Sequence, residues 1–214
     1  ASEEREERSN GSSPFLKAAG ARWWSASLLP ALMGTTLPFW LRPPGFSFNW
    51  LGAAEFLVAT LLVHAGFSML LSRFDGGPPA VWQPSRLLSG AALCFVAAIA
   101  LGLHLATTVA GPVFIVFGLV TLFAGVLYVV PPFSFHSRPF GEVVISVGLG
   151  MLPVLGAYLV QAGGLTRTVY LASLPLVVST GLWVWTREMV TRVNDEKSGR
   201  ASLVTLFGPV LSGR

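Results

Sequence analysis

The chain has 214 residues, 53% of them hydrophobic and only 11% charged, with a mean hydropathy of +0.66. Soluble domains are about one-quarter charged, so this balance excludes an ordinary soluble protein and points to a membrane protein. The net charge of +4 does not argue for nucleic acid, because the basic residues line short loops beside apolar runs and no soluble nucleic-acid motif is present; contact with anionic lipid headgroups accounts for them.

Residues 1–16 open with "ASEEREERSNGSSP", a polar stretch of mixed charge without the apolar core or cleavage pattern of a signal peptide, and read as a disordered lead. Six apolar runs follow, at residues 23–41, 50–71, 87–107, 112–130, 140–160 and 169–186. Each approaches the roughly 20 residues that cross about 30 Å of hydrocarbon. The runs are continuous, where a β-barrel strand would alternate apolar and polar residues over about ten positions. They predict an all-α, polytopic transmembrane bundle of about six helices over residues 17–186, followed by a basic cytoplasmic tail at 187–214.

The loops are unequal. Residues 107–111 and 161–168 are short and nearly uncharged, whereas 72–86, 131–139 and the tail are longer and basic. Of the 14 Lys and Arg residues, only Arg42 and Arg167 fall on the first side. The positive-inside rule then predicts that both termini are cytoplasmic and that any docking or chemistry is on that face.

Pro153 and Pro175 interrupt the fifth and sixth runs and predict kinks. Gly148, Gly150 and Gly156 predict close helix packing. Cys94, the only cysteine, reads as a small buried hydrophobe. Glu55, His64, Ser68, His104 and Gln161 lie within or beside apolar runs, where a polar group is costly and faces the bundle interior. His64 and Ser68 share a helical face with Leu71 and Asp75. That face is either a polar stripe leading to a cytoplasmic site or a single interhelical hydrogen bond above a solvated Asp75. Glu142 opens the fifth run; its carboxylate either complements the helix dipole or, with Arg138, positions a polar headgroup at a cavity mouth. The three histidines show no zinc spacing. Walker, Gly-x-Ser-x-Gly and dinucleotide signatures are absent, as are the broken-helix pairs and inverted repeats of transporters.

From Tyr128 onward a more specific pattern appears: Tyr128, Pro131, Pro132, Arg138, Gly141, Glu142, Gly156, Tyr158, Val160 and Gln161, in order. With Arg22 before "LLPALMGT" and with "DEKSGRASLVTLFG" at residues 195–208, it resembles the UbiA-type intramembrane prenyltransferases, most closely the 1,4-dihydroxy-2-naphthoate polyprenyltransferase branch. The resemblance implies a helical bundle with two Asp-rich clusters whose Mg²⁺ ions hold a prenyl diphosphate, and an apolar tunnel for the isoprenoid tail. The first cluster, Asn-Asp-x-x-Asp-x-x-x-Asp, falls on Leu71, Ser72, Asp75 and Pro79. The second falls on Thr191 and Asp195. Only Asp75 and Asp195 remain as remnant metal ligands, and Arg73, Arg187 and Arg192 flank them as candidate phosphate or headgroup groups that do not replace a Mg²⁺ ligand field.

The resemblance also implies three further helices beyond Arg214, whose absence would leave one side of the bundle open. The expectation is therefore a degenerate, non-catalytic homologue. It would bind an isoprenoid or quinone through Arg22, His64, Ser68, Arg73, Arg138, Glu142, Arg187 and Arg192, without a cofactor. It would serve as a subunit beside other membrane proteins of a respiratory or photosynthetic complex. The alternative is an active Mg²⁺-dependent aromatic prenyltransferase of quinone synthesis.

Overall fold

The computed structural model of the chain describes residues 18–74, 83–197 and 204, with the side chains of Arg22 and of residues 191–197 outside that set. All regular structure among the described residues is helical. The helices are α1 (Ser25–Leu41), α2 (Trp50–Phe74), α3 (Pro84–Leu105), α4 (Val113–Val129), α5 (Gly141–Gly150), α6 (Leu152–Ala162) and α7 (Arg167–Lys197). α5 and α6 follow one another as the fifth span, so the six expected runs become six helical passes.

Four passes are long and apolar enough to cross a bilayer: Trp50–Phe74, Pro84–Ala110, Gly141–Ala162 and Arg167–Val190. α1 and α4 have 17 residues each. At 1.5 Å per residue they reach only about 25 Å. Their ends have local causes. α1 stops where Arg42 turns left-handed (φ 43°) before Pro43 and Pro44, and α4 stops where Val130 becomes extended before Pro131 and Pro132. Proline has no N–H for a helix and pushes the residue before it out of the α region.

Three features depart from expectation. The loop at 107–111 is largely a π-helical turn, Ala106–Ala110, that prolongs α3 until Gly111 (φ 71°) ends it. α7 does not stop at residue 186 but continues to Lys197, so the first residues of the expected tail are helical. Pro153 coincides with the break at Met151, whereas Pro175 lies inside an unbroken α7. A proline in the first turn of α6 removes an N–H that has no helical partner there anyway.

α6 forms the axis of the bundle. Residues 153–161 are buried without interruption, against α1, α2, α4 and α7. Glycines set close helix approaches: a Cβ on Gly34 of α1 would overlap the Val154 backbone of α6, and one on Gly150 of α5 would stand 2.7 Å from Val177 Cα of α7. Such contacts suit helices in lipid, where association depends on close packing. Gly148 differs from expectation, for nothing lies within 4 Å of its virtual Cβ.

Candidate functional site: a central cavity with one polar end

The space beside Gly148 is part of a cavity of about 480 Å³ lined by residues of α1–α7. That volume falls within the roughly 300–1,000 Å³ of typical small-molecule sites. Its deep walls are apolar, with Phe56, Phe114 and Phe117 at the α2–α4 end and Gly102 and Gly118 leaving room beside them. Nothing lies within 4 Å of a Cβ built on Gly118, and only a Phe114 ring atom, at 4.0 Å, near one on Gly102.

The polar groups gather at the other end. Ser27, His64, Ser68, Tyr128, His136, Arg187 and Glu188 all line it. The start of α1, the second halves of α2 and α7, the last turn of α4 and the turn Phe135–Ser137 supply them. This convergence follows from topology, because alternate helix ends meet at one face of an up-and-down bundle. A short 3₁₀ turn, Ala21–Trp23, leads the chain across this end. Trp23 packs edge-on to Trp183 with ring centroids 4.9 Å apart, and the Arg187 guanidinium lies over the Trp23 ring at 5.5 Å. A cation over an indole face contributes about 0.5–2 kcal/mol, more when desolvated. This stack ties the first pass to the last.

Inside the mouth, His64 Nδ1 is hydrogen-bonded to Ser27 Oγ, joining α2 to α1. Ser27 is almost fully buried. The chain before α1 passes over the same ring. Gly20 (φ 68°) lies so close that a Cβ there would stand 3.6 Å from His64 Nε2 and 2.5 Å from Ser68 Oγ. On the opposite wall, His136 Nδ1–H donates to the Tyr128 carbonyl at 2.9 Å.

The structure brings only part of the expected set together. His64, Ser68 and Arg187 line the cavity. Arg138 instead donates from Nη2 to the Pro132 carbonyl at 2.9 Å, within its own loop, and neither Arg138 nor Glu142 is among the lining residues. Glu142 is buried in the first turn of α5, in keeping with the dipole reading. Arg73 sits in the last turn of α2 over the Phe74 ring, at 5.9 Å. Asp75 and the side chains of Arg22, Arg192 and Asp195 lie outside the described residues. Ser27, Trp23, Trp183, His136 and Glu188 were not singled out by the sequence. Ser27 carried one signal, a hydroxyl inside an apolar run three positions before Pro30.

The other intramembrane polar groups serve packing at the far end. His104 Nδ1 pairs with Glu55 Oε2 at 2.9 Å, linking α3 to α2. The Gln161 carboxamide grips the Asn49 backbone, accepting from its N–H at 3.0 Å and donating to its carbonyl at 2.9 Å.

At the first Asp-rich position only Leu71 and Ser72 are among the described residues, and neither supplies a carboxylate. Leu71 offers no oxygen, and the Ser72 hydroxyl, uncharged, donates to the Ser68 carbonyl at 2.9 Å. A magnesium site needs carboxylate oxygens near octahedral geometry. Among the described residues no three His, Cys, Asp or Glu side chains gather as a metal site would require.

The sequence profile of the UbiA prenyltransferase family matches residues 80–214. The 1,4-dihydroxy-2-naphthoate octaprenyltransferase of Bacillus subtilis (strain 168) is 26% identical over 126 residues, which cover 59% of this chain and 40% of that protein. The chain therefore matches well under half the length of that curated relative. A solved structure of a UbiA homolog from Archaeoglobus fulgidus bound to Cd²⁺ shares the fold with a TM-score of 0.72, at 20% identity, over 94% of this chain and 71% of that chain.

Proposed function

This chain belongs to the UbiA prenyltransferase family, and on that premise we propose that it is a non-catalytic member that holds an isoprenoid or quinone-type lipid. The observation that carries the reading is the 480 Å³ cavity, apolar in its depth and polar at one end. Such a space takes a hydrocarbon tail by burial and shape and a polar headgroup by hydrogen bonding, with no metal needed. The loss of ligands at Leu71, Ser72, Pro79 and Thr191 supports binding without prenyl transfer.

In this reading the polar end and both termini face the cytoplasm, as the distribution of Lys and Arg predicts. The protein acts as a subunit beside other membrane proteins. A second reading, an active Mg²⁺-dependent aromatic prenyltransferase, is favoured by the activity named for the B. subtilis relative. Mass spectrometry of lipids extracted from protein purified in mild detergent tests the first reading. An isoprenoid or quinone retained near one per chain is expected, and recovery of bulk phospholipid alone would count against it. Prenyl transfer abolished by EDTA and restored by Mg²⁺ would establish the second.

A further inference from the structure

The geometry points to the Ser27–His64 pair as the group that recognises a ring carbonyl of the bound headgroup, an inference that rests on the lipid-binding reading above. Three observations converge on it. His64 lies on α2 inside an apolar pass, and both it and Ser27 line the polar end of the cavity. Its Nδ1 is occupied by Ser27 Oγ, and Ser27 is itself almost fully buried. Its Nε2 makes no hydrogen bond among the described residues, and beside it stand Ser68 and the backbone of Gly20, which carries no side chain.

A neutral imidazole has one donor and one acceptor nitrogen, and the partner of the first decides the role of the second. In this inference Ser27 O–H is the donor to Nδ1, the arrangement that places the ring proton on Nε2. Nε2–H is then a fixed donor at the boundary between the polar end and the apolar chamber. A quinone carbonyl, an acceptor on an otherwise apolar ring, matches such a donor. A hydrocarbon ring of the same shape leaves it without a partner. The pair therefore selects oxygenated rings over hydrocarbon rings, whereas the aromatic walls hold both.

Titration of the purified protein in detergent with 2-methyl-1,4-naphthoquinone tests this, read by quenching of the tryptophan fluorescence to which Trp23 and Trp183, lining the same cavity, contribute. Competition by 2-methylnaphthalene, which lacks the carbonyls, gives the affinity for the ring alone. The unmodified protein should prefer the quinone by about three- to tenfold, the range of one net hydrogen bond. His64→Phe should remove that preference and leave the hydrocarbon affinity within about twofold. His64→Gln, which keeps an N–H donor, should restore part of it, and Ser27→Ala should weaken it.

Equal affinities for the two ligands in the unmodified protein would overturn the inference while leaving the cavity reading intact, and this arm needs no variant to fold. Loss of both ligands in His64→Phe with His64→Gln unable to recover the preference would reduce His64 to a packing residue. Binding of neither ligand by the unmodified protein would overturn the cavity reading itself.

Discussion

Replacing Gln161 by leucine tests how the far end of the bundle is held. Gln161 is buried, and its carboxamide makes two hydrogen bonds to the main chain of Asn49, at 3.0 and 2.9 Å. Asn49 in turn caps α2, its Oδ1 accepting from Gly52 N–H at 2.8 Å. One side chain on α6 thus fixes the entry of a helix 112 positions earlier in the chain. Two net hydrogen bonds contribute about 2 kcal/mol together, and a buried backbone group left unpaired costs about 1–3 kcal/mol. Asn49 is only half-buried, so water meets part of that loss, and a destabilisation of about 2–3 kcal/mol follows for Gln161→Leu. Gln161→Glu retains the acceptor but sets an oxygen against the Asn49 carbonyl, so it should lose at least as much. Unfolding in mixed SDS and dodecyl maltoside micelles measures the change. Hydrogen exchange at Gly52 and Ala53, whose N–H groups both bond to Asn49, localises it. A loss below about 0.5 kcal/mol, within the usual range of surface substitutions, with unaltered exchange would show that the clamp does not hold α2.

Three further outcomes follow from the packing and the orientation. Gly150→Val should destabilise by about 1–3 kcal/mol in the same assay, the cost of overpacking, because its Cβ would stand 2.7 Å from Val177 Cα. Gly118→Phe should leave stability nearly unchanged, since nothing lies within 4 Å of its Cβ; it should weaken binding of a long-tailed quinone about tenfold or more, 1.4 kcal/mol, by filling the chamber, as a titration would show. In a Cys94→Ala background, Ser72→Cys and Gly164→Cys should be labelled from opposite faces of sealed vesicles, with Ser72→Cys reached from the cytoplasmic side; labelling from one face would contradict six passes.

The helical passes were legible in the sequence because continuous apolar runs of this length have few other solutions. Their ends were less so. The run through 107 reads as ending in a loop, yet nothing between Leu105 and Gly111 prevents the backbone from coiling on, and it does so as a π turn. The extension of α7 past 186 was hidden because polarity marks the edge of the membrane and not the end of a helix. At the site, the need of His64 for a partner was readable from its cost in hydrocarbon. The identity of that partner was not, since Ser27 is 37 positions away. Glu55 and His104 were likewise singled out separately and joined only by the packing of α2 on α3. Arg138 and Glu142 belong to the most recognisable motif, and the structure keeps both out of the cavity. Arg138 turns back to the Pro132 carbonyl.

The central claim is that the cavity holds an isoprenoid-tailed ring without a metal. Equilibrium binding of a prenylated naphthoquinone to the purified protein, compared in excess EDTA and in excess Mg²⁺, tests it most directly. The account predicts saturable binding near one per chain with an affinity unchanged within about twofold between the two conditions. Binding that vanishes in EDTA and returns with Mg²⁺, or no saturable binding in either, would contradict it.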